Sequence, residues 1–167
     1  VNNRYFCTKI ITMSNAFFHV PVAKNEPVRA YAPGSAERDS LLKKYLEMYN
    51  QDAIDVPMYI GNEEVRTSTK KPMNPPHDHA KVLGYFNVGD ASHVKKAIDA
   101  ALHAKQAWSD LPWQERAAIF LKAADLLAGP FRDKMNAATM LAQSKNVFQT
   151  EIDAACELID FFRFNVQ

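Results

Sequence analysis

The first regular pattern of apolar positions in the chain lies between residues 35 and 49. Apolar and aromatic side chains recur there at helical spacing, at Leu41, Leu42, Tyr45 and Tyr49. Ser35 precedes them and can accept a hydrogen bond from a free N–H of the first turn. The pattern predicts a helix over 35–49. An extended arm is expected before it, because residues 14–33 contain prolines and little periodicity.

Three short strands are predicted in the middle of the chain. A Gly-Asn pair at 61–62 separates two short runs, and these residue types tolerate the positive φ of a tight hairpin loop. This predicts strands over 56–60 and 63–68. A loop rich in proline and polar residues follows, and a period of two over 82–88 predicts the third strand.

The apolar period becomes helical after the third strand. Asp90 is the expected cap of one helix, Pro112 fits the first turn of the next, and Gly129 ends it. Two more helices are predicted over 130–142 and 151–165. Apolar side chains extend around more of these helices than four mutually packed helices would use. We therefore expect one face of the helical layer to lack a cover.

The composition is that of an ordinary globular protein. The 167 residues are 47% hydrophobic, and 20 basic and 19 acidic residues leave a net charge of +1. Because these charges are interspersed, we expect no nucleic-acid partner, and because no apolar run reaches about 18 residues, we expect no membrane partner. The length suits one domain, with residues 1–23 expected as a poorly ordered tail or extension and 24–167 as the folded part.

Candidate metal ligands lie in the proline-flanked loop before the third strand. His77, Asp78 and His79 could supply nitrogen and oxygen ligands. Neither cysteine nor acid recurs near them at the spacing of a metal site. We therefore interpret them as solvated turn residues and expect no metal.

Neither cysteine has the setting of a nucleophile. Cys156 follows two alanines inside a predicted helix, where a free cysteine packs as a small apolar side chain, and Cys7 belongs to the expected tail. The five glycines are scattered and form no glycine-rich phosphate cradle. We expect no catalytic and no cofactor-binding residue in this chain.

The last predicted helix combines acids with aromatic residues. Asp153, Glu157 and Asp160 share one side because they are four and three residues apart, and Phe161 lies on the same side. Spacing alone favours a solvated acidic face. The alternative is a carboxylate that faces a pocket.

Four strings give the chain a specific resemblance: NEPVRAYAPGSAERDSL (25–41), PMYIGNEEVRTS (57–68), RAAIFLKAADLLAGPFR (116–132) and SKNVFQTEIDAACELIDFFRFN (144–165). Together they resemble the N-terminal part of the delta-1-pyrroline-5-carboxylate dehydrogenase family, within the aldehyde dehydrogenase superfamily. The resemblance implies an α+β fragment of an α/β aldehyde dehydrogenase fold. An N-terminal arm and helix, three short strands with a β-hairpin, and four packed helices would form the helical layer of its NAD-binding domain.

The resemblance also implies an enzyme of proline catabolism. Members of the family oxidise L-glutamate γ-semialdehyde, the open form of pyrroline-5-carboxylate, to L-glutamate with NAD. A cysteine thiolate attacks the aldehyde, hydride passes to the nicotinamide, and a glutamate activates water. Both catalytic residues lie beyond the matching strings, so we expect this chain to be inactive alone. Glu157 matches the family's glutamate at the amino-acid end of the substrate site, where a carboxylate suits an α-ammonium.

Two further expectations accompany the resemblance. The full-length protein is expected to be a homo-oligomer in the cytoplasm, since no long leader rich in arginine and serine is present, with the mitochondrial matrix as the alternative. The alternative function is a non-catalytic helical interaction module derived from the family's N-terminus. Such a module would hold a partner on its uncovered apolar face.

Overall fold

An extended arm precedes the first helix in the computed structural model, which describes residues 16–167. Residues 16–32 have no regular secondary structure. Most of the predicted tail over 1–23, and Cys7 with it, lies outside the described residues. In the described part, the N–H of Ala23 donates a hydrogen bond of 2.9 Å to Oε1 of Gln167. The arm therefore crosses to the last residue of the chain.

Helix α1, Ala36–Asn50, confirms the helix predicted over 35–49. The Ser35 hydroxyl accepts a hydrogen bond from the N–H of Arg38 at 3.4 Å, as predicted for the cap. Two acids in the first turn, at positions 37 and 39, are favourable there because the N-terminal end of a helix carries partial positive charge.

Five short strands follow α1: β1 (Ile54–Val56), β2 (Met58–Ile60), β3 (Glu63–Val65), β4 (Lys70–Met73) and β5 (Gly84–Asn87). β5 pairs with β1 in parallel and with β4 antiparallel, which gives a three-stranded sheet in the order β1–β5–β4. β2 and β3 form a separate antiparallel hairpin. Gly61 in its turn has a φ of +60°, which glycine adopts readily.

The sequence misplaced several strand boundaries. The strand predicted over 56–60 is present as the shorter β2. Pro57, which has no N–H to donate, separates it from β1, which was not predicted and belongs to the other sheet. The loop predicted before the third strand contains β4, an edge strand whose two lysines and Pro72 are typical of sheet edges. The strands predicted over 63–68 and 82–88 are present as the shorter β3 and β5.

Helices form most of the second half of the chain: α2 (Ala91–Asp110), α3 (Trp113–Ala128), α4 (Arg132–Gln143), α5 (Val147–Thr150) and α6 (Glu157–Val166). A π-helical segment, Glu151–Cys156, joins α5 to α6. Asp90 caps α2, as predicted. The last predicted helix begins earlier than 151, because Asn146 and Gln149 form a capping box, and its π-helical segment was not predicted.

The helices pack in two pairs, α1 against α4 and α3 against α6. Leu41 of α1 is buried with Tyr31 of the arm and Ala137 of α4. Edge-to-face and tilted aromatic contacts join Trp108 to Phe120 and Phe120 to Phe162, with centroids 6.4 and 5.9 Å apart. These contacts connect α2, α3 and α6 into one layer.

Helix α2 presents an uncovered apolar face. Val94, Ile98 and Leu102, which follow one another at a four-residue spacing, are 61, 54 and 62% exposed. This agrees with the expectation that the helical layer lacks a cover. Among the helices within residues 16–167, none has the combined length and apolarity needed to cross a membrane.

Candidate functional site

Glu151, the first residue of the π-helical segment, is completely buried and accepts N–H or O–H hydrogen bonds from four residues. The N–H of Arg29 donates to Oε1 at 2.9 Å, and the Arg132 guanidinium donates to both oxygens. The Tyr31 hydroxyl and the Asn136 amide each donate to Oε2 at 2.8 Å. A buried carboxylate is stable only with such partners, so this cluster fixes the arm and α4 against the π-helical segment.

The hydrogen-bond partners determine the protonation states of Glu151 and Tyr31. Burial alone would raise the pKa of Glu151, but the hydrogen bonds from Arg132, Arg29, Asn136 and Tyr31 outweigh it and lower that pKa to about 2. Burial and the adjacent Glu151 raise the pKa of Tyr31 to about 12. Glu151 is therefore a carboxylate at neutral pH, and Tyr31 is a neutral hydrogen-bond donor to it.

A second carboxylate extends the cluster toward α6. Arg132 also donates to Oε1 of Glu26 and, at 2.8 Å, to the carbonyl of Pro27. The other oxygen of Glu26 accepts from Arg163 at 2.7 Å. Two arginines and two glutamates thus alternate through the interior, and their charges sum to zero.

The arm is also fastened directly to α6. Asp160 accepts a hydrogen bond from Nδ2 of Asn25 at 2.7 Å and from the N–H of Glu26 at 2.6 Å. These two contacts and the Arg163 ion pair hold residues 25 and 26 alongside the helix.

An open groove of about 620 Å³ lies between the arm and the helix that runs from the π-helical segment into α6. The arm contributes one wall, Asn25, Glu26 and Val28. The helix contributes the other wall and the floor, Ile152, Asp153, Cys156, Glu157, Asp160, Phe161 and Phe164. The surface of the groove is therefore apolar at Phe161 and Phe164 and acidic at Asp153, Glu157 and Asp160.

The three acids predicted to share one side do line this groove, but their surroundings differ. Asp153 pairs with Lys145 at 2.9 Å, and Asp160 binds the arm. The Glu157 side chain is exposed, and within residues 16–167 its carboxylate has no hydrogen-bond or ion-pair partner. Half-exposed Phe161 lies beside it. Glu157 is the carboxylate of the groove that is open to a ligand.

Cys156 is buried, as predicted, and its sulfur has three polar neighbours. Its sulfur lies 3.4 Å from the Arg132 guanidinium, 3.7 Å from Glu151 and 3.9 Å from the carbonyl of Pro27. Burial and the nearby Glu151 raise the pKa of this thiol to about 11. At neutral pH Cys156 is therefore a protonated thiol, which is a poor nucleophile.

His77 and His79 are exposed and lie in turns, as interpreted from the sequence, and His77 and Asp78 also have protein partners. Nδ1 of His77 lies 2.6 Å from the Ser144 hydroxyl, and Nε2 lies 3.4 Å from the Tyr45 hydroxyl. Asp78 accepts from Tyr49 at 2.6 Å. These contacts tie the loop to α1 and α4. Within the part of the chain that the structure describes, no group of three or more metal-ligating side chains is assembled.

Sequence reasoning missed the buried cluster around Glu151. Its members are far apart in sequence, so no spacing connects Tyr31 or Arg132 with the π-helical segment. The backbone φ of Tyr31 is +49°, which is rare for an aromatic residue. Backbone torsion angles cannot be read from the sequence, so this signal was not accessible to sequence reasoning. The two alanines at 154 and 155 favour an ordinary helix, so the sequence does not reveal the π turn.

Three glycines lie where backbone geometry or packing accounts for them. Gly34 and Gly61 occupy isolated turns with positive φ. Gly84 lies in β5, where a side chain would collide with the backbone and side chain of Ile54.

Comparison with known proteins gives consistent matches. A model described as "Aldehyde dehydrogenase family" matches residues 64–167. The delta-1-pyrroline-5-carboxylate dehydrogenase of Agaricus bisporus is 52% identical over 157 residues, which are 93% of this chain and 28% of that protein. The human mitochondrial enzyme of the same name is 47% identical over 143 residues, 86% of this chain and 25% of that protein.

A solved structure has the same arrangement. It is the delta-pyrroline-5-carboxylate dehydrogenase from Mycobacterium tuberculosis bound with NAD, which superposes with a TM-score of 0.88 at 48% identity. The match covers 92% of this chain and 29% of that one. The chain has the fold of the N-terminal part of these proteins and spans little more than a quarter of their length.

Proposed function

The chain belongs to the aldehyde dehydrogenase family, and we propose that it is the N-terminal segment of an NAD-dependent dehydrogenase acting on L-glutamate γ-semialdehyde. The reaction would convert that aldehyde, the open form of pyrroline-5-carboxylate, to L-glutamate. The names of the similar proteins support this substrate.

The open carboxylate of Glu157 carries the proposal. The semialdehyde has an α-ammonium, and a carboxylate can bind an ammonium through a charge-assisted hydrogen bond. Because the buried arginines and glutamates sum to zero, the charge of the groove comes from the acids along the helix. An acidic groove suits the ammonium end of the substrate. The α-carboxylate of the substrate would be bound by residues outside this chain.

The chain supplies a substrate-binding group but not the reactive centre. Cys156 is buried with a raised pKa, and Cys7 lies outside the described residues. We infer that the nucleophilic cysteine, the glutamate that activates water and the NAD-binding residues belong to the rest of a longer polypeptide. The chain alone would then be inactive, and the full-length protein a homo-oligomer.

Aldehyde oxidation coupled to NADH formation tests this proposal. The chain of residues 1–167 and a longer polypeptide that continues through the rest of the fold are each mixed with semialdehyde and NAD. We expect the absorbance of NADH to rise with the longer polypeptide alone. Turnover by residues 1–167 would contradict the incomplete-enzyme proposal, and an inactive longer polypeptide would contradict the substrate assignment.

The exposed face of α2 favours a second candidate, a helical interaction module. In the dehydrogenase, Val94, Ile98 and Leu102 would be covered by the rest of the polypeptide, whereas in the module they would contact a separate protein. The mass of the native polypeptide in its source cells separates the two. A mass several times 18.9 kDa supports the dehydrogenase, and a mass near 18.9 kDa supports the module.

The cellular compartment needs a separate experiment on the source cells. The mouse and human relatives are named mitochondrial and the Agaricus bisporus relative is not, so the cytoplasm and the mitochondrial matrix both stay predictions. Fractionation of the cells, followed by detection of a peptide from residues 157–165, distinguishes the two locations.

A further inference from the structure

Glu26 lies between two arginines that belong to different helices. One of its oxygens accepts from Arg132 at the start of α4, and the other accepts from Arg163 on α6 at 2.7 Å. The Glu26 side chain is only 11% exposed, and that of Arg132 only 2%. A single arm carboxylate therefore joins two helices.

The same arm segment is one wall of the candidate groove. Asn25, Glu26 and Val28 face the helix that carries Glu157 and Phe161. The wall is held from the inside by Arg132 and along the helix by Arg163 and Asp160. The distance between the arm and Glu157 is therefore set by the contacts of the arm with Arg132, Arg163 and Asp160, in which Glu157 takes no part.

We propose that Glu26 is a positioning residue that fixes the arm against α6 and so sets the width of the groove beside Glu157. A ligand with an ammonium group binds Glu157 more tightly when the arm confines it on the opposite side. This inference rests on the proposed substrate role of Glu157.

The charge of Glu26 is essential to this role. A glutamine at position 26 keeps the size of the side chain but turns an amide N–H₂ toward one of the two arginines. Arg132 would keep Glu151 as a partner, whereas Arg163 would lose the carboxylate it binds. The arm would then lose its charged contact with α6, and the groove would widen.

Amide hydrogen exchange measures the arm directly. The N–H of Glu26 donates to Asp160 at 2.6 Å and that of Arg29 donates to Glu151 at 2.9 Å, so both amides report attachment of the arm. In a polypeptide with the complete fold, we expect E26Q to accelerate their exchange about tenfold, as expected for a lost charged hydrogen bond. S40A, which removes a hydrogen bond to Asp133 between α1 and α4, is the matched control and should leave these amides unchanged.

Steady-state kinetics then separates positioning from general damage. We expect E26Q to raise KM for the semialdehyde about tenfold, with kcat and KM for NAD changed less than twofold. An aldehyde of the same length without the amino group should be oxidised as before, because it does not use Glu157. R163Q is a milder second variant, and the double variant E26Q/R163Q should raise KM no further than E26Q alone, since both changes break one contact.

The possible outcomes are distinguishable. Unchanged arm exchange in E26Q, or an equal rise in KM for the amine-free aldehyde, would overturn the positioning role. If E157A raises KM for the semialdehyde and E26Q does not, the positioning role alone is wrong. If E157A leaves that KM unchanged, the substrate role of Glu157 is wrong and the positioning proposal fails with it.

Discussion

The Tyr31 hydroxyl donates a hydrogen bond of 2.8 Å to Glu151, which lies 120 residues further along the chain. Asn136 donates to both members of this pair, at 3.0 Å to the hydroxyl and 2.8 Å to the carboxylate. Tyr31 belongs to the arm, Asn136 to α4 and Glu151 to the π-helical segment. The contact therefore holds three separate parts of the chain together.

Replacement of Tyr31 with phenylalanine tests the strength of this contact. Glu151 would lose a donor and Asn136 an acceptor in a buried site, so we expect the free energy of unfolding to fall by about 1–3 kcal/mol. Urea denaturation measures the change. Y59F is the control, because Tyr59 is 71% exposed and its hydroxyl lies 3.2 Å from Glu64. A loss in Y31F no greater than that in Y59F would show that the contact contributes little.

Replacement of Arg132 with methionine should be more destabilising. It leaves the buried carboxylates of Glu26 and Glu151 without their shared cation, and breaking a buried ion pair typically costs about 3–5 kcal/mol. The same denaturation experiment applies, with R66M as the control, since the ion pairs of Arg66 are largely exposed. A second change, E151Q, should recover part of the stability lost in R132M. No recovery would mean that lost packing, not the unpaired charge, causes the loss.

Stability should depend on pH through Glu151. Its pKa is about 2 in the folded chain and near the ordinary value of 4.5 when unfolded, so the unfolded state binds more protons between these values. This contribution is fully present above about pH 4.5 and is lost as the pH falls toward 2. The free energy of unfolding, measured from pH 2 to 6, should therefore fall less steeply on acidification in E151Q. Parallel pH profiles of the two proteins would contradict the lowered pKa.

Glu157 is predicted to act on substrate affinity. In a polypeptide with the complete fold, E157A should raise KM for the semialdehyde about tenfold or more, because a charged hydrogen bond to the ammonium is lost. The KM for NAD should change much less. D99A is the control, since Asp99 is an exposed acid of α2 that lies outside the groove and is paired with Lys95. Equal effects of E157A on both KM values would remove the substrate role.

Local patterns predicted much of this architecture. Capping chemistry at Ser35 and Asp90 placed the starts of α1 and α2, and spacings of four and three residues placed Asp153, Glu157 and Asp160 on one side of a helix. Each of these features depends on residues that are neighbours in sequence, which is why spacing was sufficient.

Features that depend on distant residues were not predictable in the same way. β4 forms because its backbone pairs with β5, although its lysines and proline favour a loop. The buried status of Glu151 depends on Arg132 and Tyr31, which reach it from other elements. The sequence around Glu151 therefore did not indicate whether its side chain is buried or exposed, because that depends on the arm and α4, which contact it only in the folded chain.

The π-helical segment has a consequence for how the chain tolerates changes in length. A π turn holds one residue more than an α-helical turn, and each α-helical residue rotates the chain by about 100°. Five α-helical residues turn the chain about as far as the six residues of Glu151–Cys156 do, so deletion of one residue there would favour an ordinary α-helix and leave Glu157 facing nearly the same way. A one-residue deletion from the α-helical turns that follow would instead rotate the rest of α6 by about 100°, and its face on α3 would turn away. The π-helical segment is thus the part of this helix that can lose one residue while the helix keeps its orientation.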